Sequence, residues 1–339
     1  MKMPPEDIPD YLVPKLQTWA VKGVSKSKVD ELLKIISNVF DFLPLTSRGL
    51  LHTPRHTETD IVEGGEMWYK GISPNLEIRL SDSYLIKFGQ VVIDIGIDGI
   101  PLTESGVNDF WPIMERLEGD LNDPFVIGVM CGPGKPKSLD DYLRKFCAEV
   151  LELTENGVEF NGNTYPFKVR HYILDAVARS QFKCISGHSS EKTCEKCTVQ
   201  GVYFMKRETF ANLDCPLRTD ESFSAREDPA HHSGTSPLES ILHTKMVSQF
   251  RLDGMHLIHL GIMKRYLKQL LSKGPWKLHW RNIRVLSDAI LYVSNYLPRE
   301  FARCNFFDLK YFTRYKATEF RALLLYILLV VLKLLPEEY

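Results

Sequence analysis

Signs of a membrane or secreted protein are missing from the chain. Its first residues, MKMPPEDIPDYL, hold no apolar run of the signal-peptide kind. The most apolar stretch, Ala322 to Leu332, is stopped by Lys333, well short of the roughly 20 residues a membrane span needs. An excess of one charge is missing too. There are 42 Lys+Arg against 43 Asp+Glu, so bulk charge does not hold the protein to nucleic acid, although a local basic face can sit inside a neutral total. The 7 cysteines lack the even count and spacing of a disulfide framework. The chain has no G-x-x-x-x-G-K-[ST], no G-x-G-x-x-G, no G-x-S-x-G and no H-E-x-x-H, which removes the common phosphate-loop, dinucleotide, esterase and zinc-protease templates. What is there is ordinary globular composition, 44% hydrophobic and 25% charged, over a length that suggests about two domains.

Periodicity organises the chain. Residues 1–60 read as a helical arm, with VDELLKIISNVFDF (29–42) spaced as a helix and Ser27 as its cap. Strands are expected at Tyr84–Ile86 and Val91–Asp98, with a return across the Asp98-Gly99 turn at Ile100–Thr103. Phe125–Cys131 and Phe167–Leu174 are further strands. A helix capped by Ser138 runs to about Gly157, a hairpin turns at Asn161-Gly162-Asn163, and Ala176–Cys184 is helical. Residues 188–236 are irregular and rich in His, Cys and Pro. Helices are expected over Asp253–Ser272, Ile283–Tyr296 and Tyr315–Leu335. The class is α/β, a mixed sheet with flanking helices.

Four groups of residues can carry chemistry. Asp98 and Asp175 stand at strand ends, where carboxylates can meet a metal while the backbone stays in the sheet. Their structural roles would be a turn residue and a helix N-cap. Cys194 and Cys197 form a C-x-x-C that suits Zn²⁺, with His188, the pair His231-His232, or His256 with His259 as further ligands. In Asp253-Gly254-Met255-His256, Asp253 is a natural N-cap for the helix that follows it, and capping explains it about as well as chemistry does. The densest basic stretch, with interleaved tryptophans, includes Lys264, Arg265, Lys268, Lys273, Lys277, Arg281 and Arg284, and can meet phosphates.

Several blocks then carry a resemblance: IDGIPLTESGVNDFWPI (97–113), PFVIGVMCGPGKPKSLDDYL (124–143), ILDAVARSQFKCISGHSSEKTCEKCTVQG (173–201), LDGMHLIHLGIMKRYL (252–267) and YKATEFRALLLY (315–326). In this order they resemble the transposases of CACTA-type (En/Spm-like) cut-and-paste DNA transposons and their animal relatives. The resemblance implies a ribonuclease H-like core at 83–187, a zinc-containing and largely helical insertion at 188–310, and a final core helix at 311–339. It implies a D-D-E triad of Asp98, Asp175 and Glu319 holding Mg²⁺ or Mn²⁺, with Glu319 packed toward the two aspartates. By resemblance to the V(D)J recombinase, a distant relative, His256 and His259 would complete a structural Zn²⁺ site with Cys194 and Cys197, His188 and His232 being alternates. The basic stretch would bind DNA, both transposon ends and target, in a homo-oligomer in the nucleus and away from membranes. Family members continue beyond the KATEFR-type helix, which implies a truncated, decayed or domesticated copy. Its alternative is a non-catalytic, zinc-containing DNA- or protein-binding protein.

Overall fold

The computed structural model describes residues 4–335, apart from 104–105, 121–123, 188, 213, 273 and 302–303. The chain divides into two units at Thr59. In the first, helices Ile8–Ala20, Lys26–Ile36 and Ser47–Leu50 close around Ala20, Val29, Leu33 and Leu50. The helix expected from Val29 starts earlier, with Ser25 at its N-cap, and ends at Ile36.

The second unit is built on one mixed sheet. Its strands are β1 (Asp60–Val62), β2 (Gly65–Tyr69), β3 (Val91–Ile97), β4 (Ile100–Pro101), β5 (Asp109–Leu117) and β6 (Phe125–Gly132). A small separate hairpin, β7 (Val158–Phe160) with β8 (Asn163–Tyr165), precedes β9 (Phe167–Leu174). A second hairpin, β10 (Val202–Phe204) with β11 (Arg207–Thr209), precedes β12 (Phe250–Arg251). The sheet order is β1-β2-β6-β5-β3-β9-β12, with β4 added to β5. The strands from β1 through β3 pair antiparallel with their neighbours, whereas β3, β9 and β12 run parallel.

Alternation explains β3: Val91, Ile93, Ile95 and Ile97 are buried on one face. Between β6 and β9 the chain crosses through helix Leu139–Asn156, whose N-cap Ser138 accepts from the Asp141 N–H and which buries Tyr142, Leu143, Phe146 and Val150. A helix crossover of this kind is what parallel pairing of β3 with β9 requires.

Several expectations are corrected. Tyr84–Ile86 is not a strand but part of helix Asp82–Phe88: Ser81 caps it, left-handed Gly89 ends it at φ 63°, and only Leu85 is buried. Ile100–Pro101 pairs with β5 and not back onto β3, so Asp98-Gly99 is not a hairpin turn. The segment 188–310 is not wholly an insertion, because β12 lies within it and completes the main sheet, with the Phe250 ring stacked on Tyr172 at 4.9 Å between centroids. The stretch expected as one helix from Tyr315 is broken into Ala317–Ala322, Leu323–Ile327, Leu328–Val331 and Leu332–Leu334. Its apolar residues Phe320, Leu323, Ile327 and Val331 do not join the core of the sheet. They form a second core with Met263, Leu267, Leu286 and Ile290. An apolar face is satisfied by any apolar partner, and here the neighbouring helices Lys264–Leu271 and Trp280–Ser294 supply it.

Candidate metal-binding site at the strand ends

Register places the acids. Ile97 of β3 pairs with Leu174 of β9, so the next residues, Asp98 and Asp175, leave two adjacent parallel strands at one level. On the other side of β9, Arg251 of β12 pairs with Ile173. Asp253, two residues after Arg251, therefore comes level with Asp175 as well. Three carboxylates thus leave the carboxyl ends of three neighbouring parallel strands. Gly99 makes the turn after Asp98 feasible, since a Cβ there would lie 2.7 Å from the Trp111 ring.

Each carboxylate is held by nearby backbone. Asp98 Oδ1 accepts from its neighbour Gly99 N–H at 2.8 Å, and Asp175 Oδ1 accepts from Ala178 N–H at 2.7 Å as the N-cap of helix Ala176–Phe182. Asp253 Oδ1 accepts from Met255 N–H at 2.8 Å, and its Oδ2 pairs with Nδ1 of His256. The Asp98 carboxyl is pushed above the usual carboxylate range by burial and then by the charges of Asp175 and Asp253, against the Gly99 N–H and His256. Asp98, Asp175, Asp253 and His256 therefore share one electrostatic neighbourhood. From the sequence a helix cap and a chemical role explain Asp253 equally well. Its place in the site follows only from the register of a two-residue strand that has no visible period.

Glu319 is placed differently. It lies in the first turn of helix Ala317–Ala322 and is buried. Its carboxylate accepts from the N–H of Asn305 at 2.8 Å, the N–H of Lys316 at 2.7 Å and the Thr318 hydroxyl at 3.1 Å. That is a capping role, and it satisfies a buried charge without a metal.

The sulfurs of Cys194 and Cys197 lie 3.4 Å apart as free thiols. The loop between them is clamped on both sides. Glu195 takes Arg179 at 2.8 Å and the fully buried Lys183 at 2.9 Å, while Lys196 donates to the carbonyls of Val247 at 2.6 Å and Phe250 at 2.9 Å. Burial works against the Glu195 charge, but Lys183 and Arg179 outweigh it and lower its carboxyl. The expected histidine partners have other neighbours. His256 is engaged by Asp253 at the acid end, and His259 is lowered by burial and by Arg321 while Asp253 opposes the shift. His232 packs against Phe223 at 4.5 Å between centroids, with its Nδ1 buried and unpartnered among the described residues. His188 lies outside the described residues. Among the described residues no three His, Cys, Asp or Glu side chains converge closely enough, as they stand, to hold an ion.

Of the basic stretch, Lys264, Arg265 and Lys268 line a groove together with Arg207, Leu260 and Gly261. Lys277, Arg281 and Arg284 are exposed, and the Arg281 guanidinium lies over the exposed Trp280 ring at 5.4 Å. None of these seven cations forms an ion pair among the described residues. Lys273 lies outside them. No helix among the described residues is long and apolar enough to cross a membrane. No protein-family model matches this chain, and no curated protein is significantly similar to it.

Proposed function

We propose that the chain is a transposon-derived transposase with a ribonuclease H-like core, cleaving and joining DNA strands with divalent metal at Asp98 and Asp175. The observation that carries this reading is the register of β3 and β9, which brings both aspartates level at adjacent strand ends. The three-strand antiparallel meander, extended by β9 and β12 in parallel on its far side, supports the fold assignment. For the third oxygen donor the geometry favours Asp253 over the Glu319 that the resemblance implies.

The donor set fits a hard cation. Carboxylate oxygens are the ligands Mg²⁺ and Mn²⁺ prefer, and Asp98 is raised first by burial and then by the charges of Asp175 and Asp253, both of which a cation would offset. Re-aiming each aspartate costs a hydrogen bond of about 1 kcal/mol, small beside charge neutralisation. When bound, the metal supplies Lewis-acid stabilisation of the phosphoryl oxygens and a lowered pKa of bound water. Asp98 and Asp175 would hold the cation between the strand ends, where the reacting phosphate would meet it. His256 Nδ1 is paired with Asp253, which fixes the ring beside the strand ends. The thiols of Cys194 and Cys197 would supply two ligands of a structural Zn²⁺, their 3.4 Å spacing being close to the roughly 3.7 Å of a tetrahedral site with Zn–S near 2.3 Å. The partner is DNA, bound along the basic face by a homo-oligomer in the nucleus. The capping role of Glu319 favours one alternative, a non-catalytic DNA-binding remnant.

Nicking of a labelled duplex in Mn²⁺ decides between them. Activity that requires metal and disappears in Asp175→Ala is expected. Cleavage that is equal in the parent and in Asp175→Ala, or absent from both, removes the catalytic reading.

A further inference from the structure

We propose that the β10–β11 hairpin is a base-stacking finger, with Phe204 receiving an unpaired base at the end of the cationic groove. This rests on the reading that the basic face binds DNA. The hairpin is not part of the main sheet, and it carries Val202, Tyr203, Phe204 and Met205 as consecutive exposed apolar residues. Such a run on a surface marks an interaction site. Its two-residue turn is Met205-Lys206, both left-handed at φ 47° and 64°. That is the tight geometry suited to the twist of a hairpin, here without the usual glycine.

The pairing register gives the finger two distinct faces. Phe204 pairs with Arg207, and Tyr203 pairs with Glu208. Paired residues share a face, so Phe204 lies with Arg207 and Tyr203 lies on the opposite face with Glu208. Arg207 lines the groove with Lys264, Arg265 and Lys268. The Phe204 face is therefore the one continuous with the cations, and the opposite face carries an acid. Cations that track a phosphate backbone beside an aromatic platform form the arrangement that binds single-stranded or unstacked nucleic acid. The helices from Met255 to Leu271 run from the Asp253 end to this groove. Met255–Met263 is π-wound, tighter along the axis than the α-helical rise of about 1.5 Å per residue, so Lys264 lies no more than roughly 15 Å along, or at most four to five stacked nucleotides at about 3.4 Å each. A base held on Phe204 would fix the strand a few nucleotides from the acids.

The test measures binding of the full chain to a fluorescent single strand and to an intact duplex of the same length, by anisotropy. Phe204→Ala is expected to weaken single-strand binding about tenfold, one stacked base, with little change for the duplex. Tyr203→Ala is the matched control, exposed to 69% against 58% for Phe204 and on the other face, and should change neither. The variant Lys264→Ala/Arg265→Ala/Lys268→Ala should weaken both and flatten the salt dependence. Undiminished single-strand binding by Phe204→Ala, with loss in the triple variant, overturns the finger and leaves the DNA reading standing. Equal loss in Tyr203→Ala overturns the assignment of the face. No loss in the triple variant overturns the DNA reading of this groove. If Phe204→Ala instead abolishes self-association in light scattering and spares DNA binding, the hairpin buries against a second copy and the proposal fails.

Discussion

Replacing Glu319 by alanine takes the acceptor away from the N–H groups of Asn305 and Lys316 inside a buried turn. An unsatisfied buried donor costs about 1–3 kcal/mol, so urea unfolding should show a loss of that order. Metal-dependent nicking per folded molecule should stay within a few-fold of the parent. Asp253→Asn should behave in the opposite way. It keeps the cap acceptor for Met255 N–H and the shape of the side chain, but loses the charge beside Asp98 and Asp175. Cleavage should fall at least about 100-fold, because even outer-sphere partners of a metal are worth about 10–100-fold. The reverse pattern, with Glu319 indispensable and Asp253 dispensable, would return the third position to Glu319.

The elements differ in how openly the sequence declares them. β3, β6 and β9 are seven or eight residues long and rich in β-branched and aromatic side chains, and such segments betray themselves. β5 does not, because Pro112 sits inside it. The structure tolerates that proline because it falls just beyond the last β3–β5 pair, Ile97 with Ile113, where β5 has one main partner fewer. β12 is too short to have a period, so the sequence alone does not decide between cap and ligand at Asp253, and the apolar trio at 84–86 mimics a strand. Asp98 and Asp175 were legible because each follows a legible strand. β5 also carries a titration that no pattern reveals. Glu115 is buried with no well-formed hydrogen bond among the described residues, the nearby Asn75 amide donating instead to the carbonyls of Gly71 and Val126, and burial, opposed by Asn75 and Lys70 but reinforced by Glu149, pushes its carboxyl to about 8 from an ordinary 4.5. The folded chain keeps a proton there that the unfolded chain has released. This contribution is fully present below pH 4.5, is lost as pH rises toward about 8, and is flat beyond. Glu115→Gln removes the fall, so thermal melts of the variant and the parent should diverge increasingly from about pH 5 to about pH 8, the variant being the more stable.

At the scale of the molecule, the second unit joins two hydrophobic cores, one under the sheet and one among the later helices. The cysteine loop touches the sheet side at two places. Through Glu195 it grips the helix that Asp175 caps, and through Lys196 it grips the chain running into β12, just ahead of Asp253. The free energy of holding Asp175 and Asp253 side by side is therefore shared with the free energy of ordering the loop. A soft ion on the thiols and a hard ion on the aspartates become thermodynamically conjugate, each altering the affinity of the other by one common factor, typically about 5–150-fold. Titration of Cd²⁺ with and without Mn²⁺, and of Mn²⁺ with and without Cd²⁺, should return the same factor in both directions, and Lys196→Met should reduce it toward unity while leaving both sets of ligands in place.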